Sequence, residues 1–220
     1  MTLIIAAKKD KNILLGVDSR ALVDTGVSRV MTNRNEKLTQ LNKFCSILIA
    51  GDAEKGIFLI EQFKSQINEK EDVVSISNNF SKFCKNEFKP LMQFMSVSSD
   101  YYPDIVFIIT GFDRKNNPRI FVLRSKSAFA IGEKRDYAIE GVHMISLYLF
   151  AKSFDKINSM DKLIELITRC LCETEMIDGN VGGKKYVAQI DIKYGFKFVP
   201  IEQIVQDIEN EGLKNIIEDN

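Results

Sequence analysis

The chain has 220 residues, 45% of them hydrophobic, which suffices for one domain spanning residues 1–220 around a sizeable apolar core. Lysine plus arginine and aspartate plus glutamate number 30 each, so the formal charge is zero and gives no electrostatic case for nucleic acid or a membrane as partner. No apolar run reaches membrane-spanning length, and Leu3 to Ala7 is too short and lacks the basic lead of a secretion signal, so a cytoplasmic location is expected.

Thr2 to Lys8 reads as a buried strand, Lys9 to Asn12 as a polar turn, and Ile13 to Asp18 as the hairpin partner. After a polar loop, Lys37 to Leu41 and Phe44 to Ala50 read as a second hairpin turning at Asn42-Lys43. Gly51 ends that strand and Asp52 caps the helix that follows. Ile57, Ile60, Phe63 and Ile67 fall on one face of a first helix; Ile76, Phe80, Phe83, Phe88 and Leu91 form the stripe of a second. The Glu69 to Asp72 charge run between them is a solvated connection.

Asp104 to Asp113 and Arg119 to Ser125 predict a third hairpin, and Ala128 to Ile131 a short strand ending at Gly132. Ala138, Val142, Ile145 and Leu149 predict a third helix, and Leu163, Ile164, Ile167 and Leu171 a fourth. Tyr186 to Lys193 and Phe196 to Pro200 pair around Gly195, before a last helix carrying Ile201, Ile204 and Ile208. Hairpins imply antiparallel sheets, and paired helices need apolar faces to cover. The predicted fold is therefore α+β, with two stacked sheets between helix layers. Cys45, Cys84, Cys170 and Cys172 lie in apolar segments without C-x-x-C pairs and are expected as reduced core residues. Neither metal nor cofactor is expected.

Thr2 directly follows the initiator methionine. Removal of Met1 would leave a free α-amine, of ordinary pKa about 7.7–8.0, beside the threonine hydroxyl. That amine can take the hydroxyl proton and later deliver it to a leaving nitrogen, so no histidine is required. The single histidine, His143, falls in the predicted third helix and reads as structural. An alkoxide forming at Thr2 needs a positive charge, for which Lys37 is the candidate, and a carboxylate to hold that charge, for which Asp18 is. Gly51, at a strand-to-helix junction, could offer a backbone N–H to a tetrahedral intermediate. Each has a plainer reading: Thr2 as a strand residue, Asp18 as a turn cap, Lys37 as a surface charge, Gly51 as a strand end.

Taken together, Thr2, Gly16-Val17-Asp18-Ser19-Arg20, Glu36-Lys37-Leu38 and Ala50-Gly51-Asp52-Ala53 resemble the proteasome β-subunit pattern in order and nearly in spacing. The resemblance implies the four-layer αββα sandwich of the N-terminal-nucleophile (Ntn) hydrolases. It also implies roles: Thr2 as nucleophile and amine base, Asp18 and Lys37 as its activating pair, Gly51 as oxyanion donor, and Arg20 in support. The start at Met-Thr is similar to HslV-type peptidases, which carry no propeptide. Farther along, Ala130-Ile131-Gly132 resembles the family's A-I-G-S-G segment with Glu133 and Lys134 in place of Ser-Gly. Asp178-Gly179-Asn180-Val181-Gly182-Gly183 resembles its D-x-x-S-G-G loop, keeping Asp178 and placing Val181 where serine is expected. The carbonyls of that loop could alternatively hold a cation.

The function implied is a threonine-type endopeptidase acting on polypeptides inside a homo-oligomeric ring, with an ATP-dependent unfoldase as a partner by analogy. Two other readings share the fold: a small-molecule amidase, and a ring-forming scaffold without turnover.

Overall fold

The computed structural model describes residues 2–24, 29–33, 36–95, 104–142 and 144–218, with side chains for all of these except 22–24, 29–31, 91–95 and 212–218. His143 and the side chain of Leu91 therefore lie outside the described residues. Strands β1 (Leu3–Lys9) and β2 (Asn12–Asp18) form the first hairpin. They are followed by a two-stranded ribbon, β3 (Ala21–Asp24) with β4 (Arg29–Thr32), where only a polar loop was expected. Strands of four residues are too short for alternation to stand out. The hairpin of β5 (Leu38–Asn42) and β6 (Cys45–Gly51) leads into helices α1 (Ala53–Lys64) and α2 (Val73–Met95). The Asp52 side chain caps α1 by accepting from the Lys55 N–H at 3.2 Å.

Strands β7 (Ile105–Phe112) and β8 (Pro118–Arg124) pair next, followed by a 3₁₀ turn at Ser125–Ser127 and strand β9 (Ile131–Lys134). The predicted strand Ala128 to Ile131 thus begins later. Ala128 and Phe129 take left-handed φ values of 49° and 53°, a turn that drops the Phe129 ring into the core. Strand β10 (Tyr137–Gly141) replaces the first turn of the predicted third helix, and α3 starts only at Met144 (Met144–Ser153). The spacing of Ala138, Val142, Ile145 and Leu149 is helical, yet Ala138 and Ile139 are both buried, on opposite faces of a strand enclosed by layers on either side. The chain closes with α4 (Met160–Ile177), β11 (Lys185–Asp191), β12 (Gly195–Val199) and α5 (Glu202–Glu218).

The strands form two five-stranded antiparallel sheets, ordered β10-β1-β2-β11-β12 and β5-β6-β7-β8-β9. Side-chain alternation sorts β1 into two cores. Ile4 and Ala6 meet Leu48, Ala50, Ile108 and Val122 of the other sheet, whereas Leu3 and Ile5 meet Phe150, Leu163 and Ile167 of α3 and α4. On the far side, Ile47, Ile49 and Phe107 pack against Phe63 of α1 and Phe80 of α2. The architecture is a four-layer αββα sandwich. All four cysteines are buried free thiols, and burial pushes Cys170 up to about 12 and Cys172 up to about 11, away from nucleophilic reactivity.

Phe80 anchors the first helix layer: it is fully buried and meets Phe63 and Phe107 edge-on at 5.0 and 4.8 Å. Replacing Phe80 by Ala should lower stability by about 3–5 kcal/mol, read as a shift of the denaturant midpoint.

Candidate active site

Asp18 ends β2 beside the start of β1, and its carboxylate organises everything around it. Oδ1 accepts from the Leu3 N–H at 3.0 Å. Oδ2 accepts from the N–H groups of Arg20 and Gly182, each at 3.1 Å. The Lys37 ammonium lies 3.1 Å from both oxygens. Asp18 is 1% exposed and the Lys37 side chain 0%, so this ion pair sits out of water. Lys37 leads into β5 of one sheet while Asp18 belongs to the other, so the pair also ties the sandwich together. Its Nζ makes a third, short bond to the Arg20 carbonyl. Burial pushes the Lys37 pKa below the usual lysine range; Asp18 beside it pulls the other way without fully offsetting this, and the Arg20 charge pushes it further down.

Thr2 is buried, immediately before β1. Because Asp18 serves both Lys37 and the Leu3 N–H, the ammonium lies two hydrogen bonds from the peptide group that joins Thr2 to Leu3. On the other side of β1, the Thr2 carbonyl accepts from the Val142 N–H at 2.8 Å. Gly141 makes this close approach possible: its φ is +92°, and a Cβ there would stand 1.8 Å from the Thr2 oxygen. Gly51 forms a matching corner in the second sheet. Its φ is +93°, a Cβ would stand 1.8 Å from the Asp104 oxygen, and that oxygen accepts from the Asp52 N–H at 2.9 Å. Gly51 lies two residues past Ile49, whose N–H donates to the Lys37 carbonyl at 3.0 Å, so it sits at the sheet end where Lys37 enters.

Arg20 does not touch the Lys37 ammonium with its side chain; it holds the loop after α4. Its guanidinium donates to the carbonyls of Gly179 at 2.9 Å and Val181 at 3.1 Å, and to Glu175 at 3.3 Å. The Arg20 guanidinium thus occupies two of this loop's carbonyls, those of Gly179 and Val181. Among the described residues, no group of three or more His, Cys, Asp or Glu side chains could hold a metal ion. Ser19 adds a second tie, donating to the Asn33 carbonyl and accepting from the Lys184 N–H, both at 2.8 Å.

Asp178 caps α4 and accepts from the backbone and side chain of Asn180 at 2.9 and 2.7 Å. It shapes the loop that delivers Gly182 to Asp18. Val181 faces away from the polar cluster, fully buried in the core beneath α4. Glu133, by contrast, lies on the edge strand β9 and pairs with Arg119 at 2.5 Å. The segment beside Thr2 is Tyr137 to Val142, not Ala130 to Lys134, so Glu133 does not stand for a serine at this site.

Sequence reasoning missed Glu175, which takes Arg20, the Gly183 N–H at 3.3 Å and Lys185 at 2.5 Å. A signal was present: an anion in the last turn of a helix opposes the helix dipole and calls for cationic partners.

The model of the family described as proteasome subunit matches residues 2–190 of the chain. A comparison with curated proteins returns no match.

The two halves of the buried pair are unequal. Lys37→Met leaves Asp18 with three backbone N–H donors, whereas Asp18→Ala leaves a buried ammonium with one carbonyl. Asp18→Ala should therefore cost about 3–5 kcal/mol in chemical denaturation and Lys37→Met clearly less.

Proposed function

The chain belongs to the proteasome subunit family, and we propose on that footing that it is a threonine-type endopeptidase with Thr2, freed of Met1, as nucleophile. The observation that carries this reading is the Asp18 carboxylate, which bonds at once to the Lys37 ammonium and to the Leu3 N–H next to Thr2. The Thr2 hydroxyl oxygen attacks a peptide carbonyl carbon while the Thr2 amine takes the hydroxyl proton. The nearby Lys37 charge stabilises the developing alkoxide, and the Gly51 N–H receives the negative oxygen of the tetrahedral intermediate. The amine then delivers its proton to the leaving nitrogen, leaving an ester on Thr2 that water hydrolyses. Asp18 orients Lys37; Arg20 and Asp178 hold the loop that supplies the Gly182 N–H to Asp18.

Proteasome-family members form oligomeric rings with polypeptide substrates. Here the ring would be built from copies of this chain, in the cytoplasm, with an ATP-dependent unfoldase feeding it. No helix among the described residues is long and apolar enough to cross a membrane. A ring subunit without turnover is the second reading, favoured by Val181, whose apolar side chain offers no hydroxyl to the site.

A peptide epoxyketone needs both hydroxyl and free amine, so a covalent adduct at Thr2 with loss of Met1 in the intact mass is the expected result. Retained methionine with no adduct would leave the scaffold reading standing. Thr2→Ala should abolish hydrolysis without changing the size of the assembly. The lowered Lys37 pKa fixes a sign in pH. Deprotonation removes the charge that favours the alkoxide, so kcat/KM should fall on the alkaline side below about 10.4, the value of a free lysine. A profile still flat above that value would remove Lys37 from the mechanism.

A further inference from the structure

The strand that carries Thr2 has a neighbour on each side, and each neighbour presents a carboxylate to a cation of the opposite sheet. On β2 the carboxylate is Asp18, bound to Lys37. On β10 it is Glu140, bound through a short contact to the Arg124 guanidinium at the end of β8. The Asp18 link belongs to the site already described; the Glu140–Arg124 link makes none of the contacts given there. Glu140 is a charged residue in an otherwise apolar strand, with its side chain 11% exposed.

The strand registers show what this second link spans. Glu140 is opposite Ile4, which is opposite Val17, a row across the first sheet. Arg124 is opposite Val106, which is opposite Ala50, a row across the second. Ile4, Val17, Ala50 and Val106 meet in the inter-sheet core, so the two rows face each other and the ion pair joins their ends. The next row in one sheet is Gly141 with Leu3, directly after Thr2; the next in the other is Ile105 with Gly51. The pair thus spans the sandwich one residue below the two glycine corners.

We infer that the Glu140–Arg124 pair is a positioning device, which fixes the separation of the two sheets on the β10 side and with it the placement of Thr2 relative to Gly51. This rests on the reading of Thr2 as attacker and Gly51 as oxyanion donor. Apolar packing alone resists separation of sheets but leaves sliding soft, whereas a charge-assisted bond between named atoms sets one register. Asp18–Lys37 does this on one flank of β1 and Glu140–Arg124 on the other. Neither Glu140 nor Arg124 touches the reacting atoms.

The test compares Glu140→Gln with the charge-exchanged double variant Glu140→Arg plus Arg124→Glu in the assembled protein. The readouts are peptide hydrolysis and hydrogen exchange by mass spectrometry. Glu140→Gln should lower kcat about tenfold with KM changed by less than about twofold. It should also speed exchange in the peptides covering residues 2–7 and 104–109, while the exchanged pair recovers most of both losses. Wild-type exchange in Glu140→Gln would overturn the inference. So would a loss of kcat that the exchanged pair does not repair, because the carboxylate would then act in its own right. Should Glu140→Gln fail to fold, Arg124→Lys is read in the same way, since the shorter reach of a single ammonium loosens the same contact. A wild-type protein with neither turnover nor epoxyketone adduct defeats the proposed function alone; the exchange comparison still decides the clamp.

Discussion

A lysine ammonium enclosed in protein is unfavourable unless its surroundings replace the water it has lost. Lys37 meets this demand with two carboxylate oxygens and a carbonyl, and the carboxylate meets its own demand with three backbone N–H groups. Those groups come from the start of β1, from Arg20 two residues past the end of β2, and from the loop after α4. Satisfying one buried charge therefore requires distant parts of the chain to arrive at one point. The dependence runs through the carboxylate: the loop cannot withdraw without leaving Asp18 short of a donor, and Asp18 cannot leave without stranding Lys37.

The sandwich makes this convergence possible. Strand alternation sends Leu3 and Ile5 toward the helices and Ile4 and Ala6 toward the second sheet, so β1 is anchored on both faces directly after Thr2. Gly51 and Gly141 turn the chain at matching corners, each letting one carbonyl come close to the strand end next to it. The outer shell, in which Glu175 holds Arg20, Lys185 and the Gly183 N–H, is more exposed and stiffens the loop from outside. Buried charge sets the position, and the exposed network keeps the approach to it in shape.

Much of this was legible in the residues. The hairpins at Thr2 to Asp18 and Lys37 to Ala50 follow from apolar runs bounded by polar turns, and the observed strands fall within a residue or so of those limits. The segment 128–142 was misread for a physical reason. Its strand is covered on both faces, so Ala138 and Ile139 are both apolar and the alternation that marks a half-exposed strand is absent. The Ala130-Ile131-Gly132 run leads into β9, whereas the strand beside Thr2 is β10. The proximity of Asp18 and Lys37 was an inference from strand ends; the part played by the Leu3 and Gly182 amides was not readable, because backbone donors leave no mark in a sequence. Glu140 and Glu175 could have been singled out as anions in unfavourable places, one inside a buried strand and the other at a helix C-terminus.

The guanidinium under the Gly179 and Val181 carbonyls gives the loop a permanent built-in counter-charge. The guanidinium is covalently part of the chain. A loop closed around a dissolved ion is set by how much of that ion the surroundings provide, and dilution or a chelator can empty it. This loop answers to neither, because its cation is in place whenever the chain is folded.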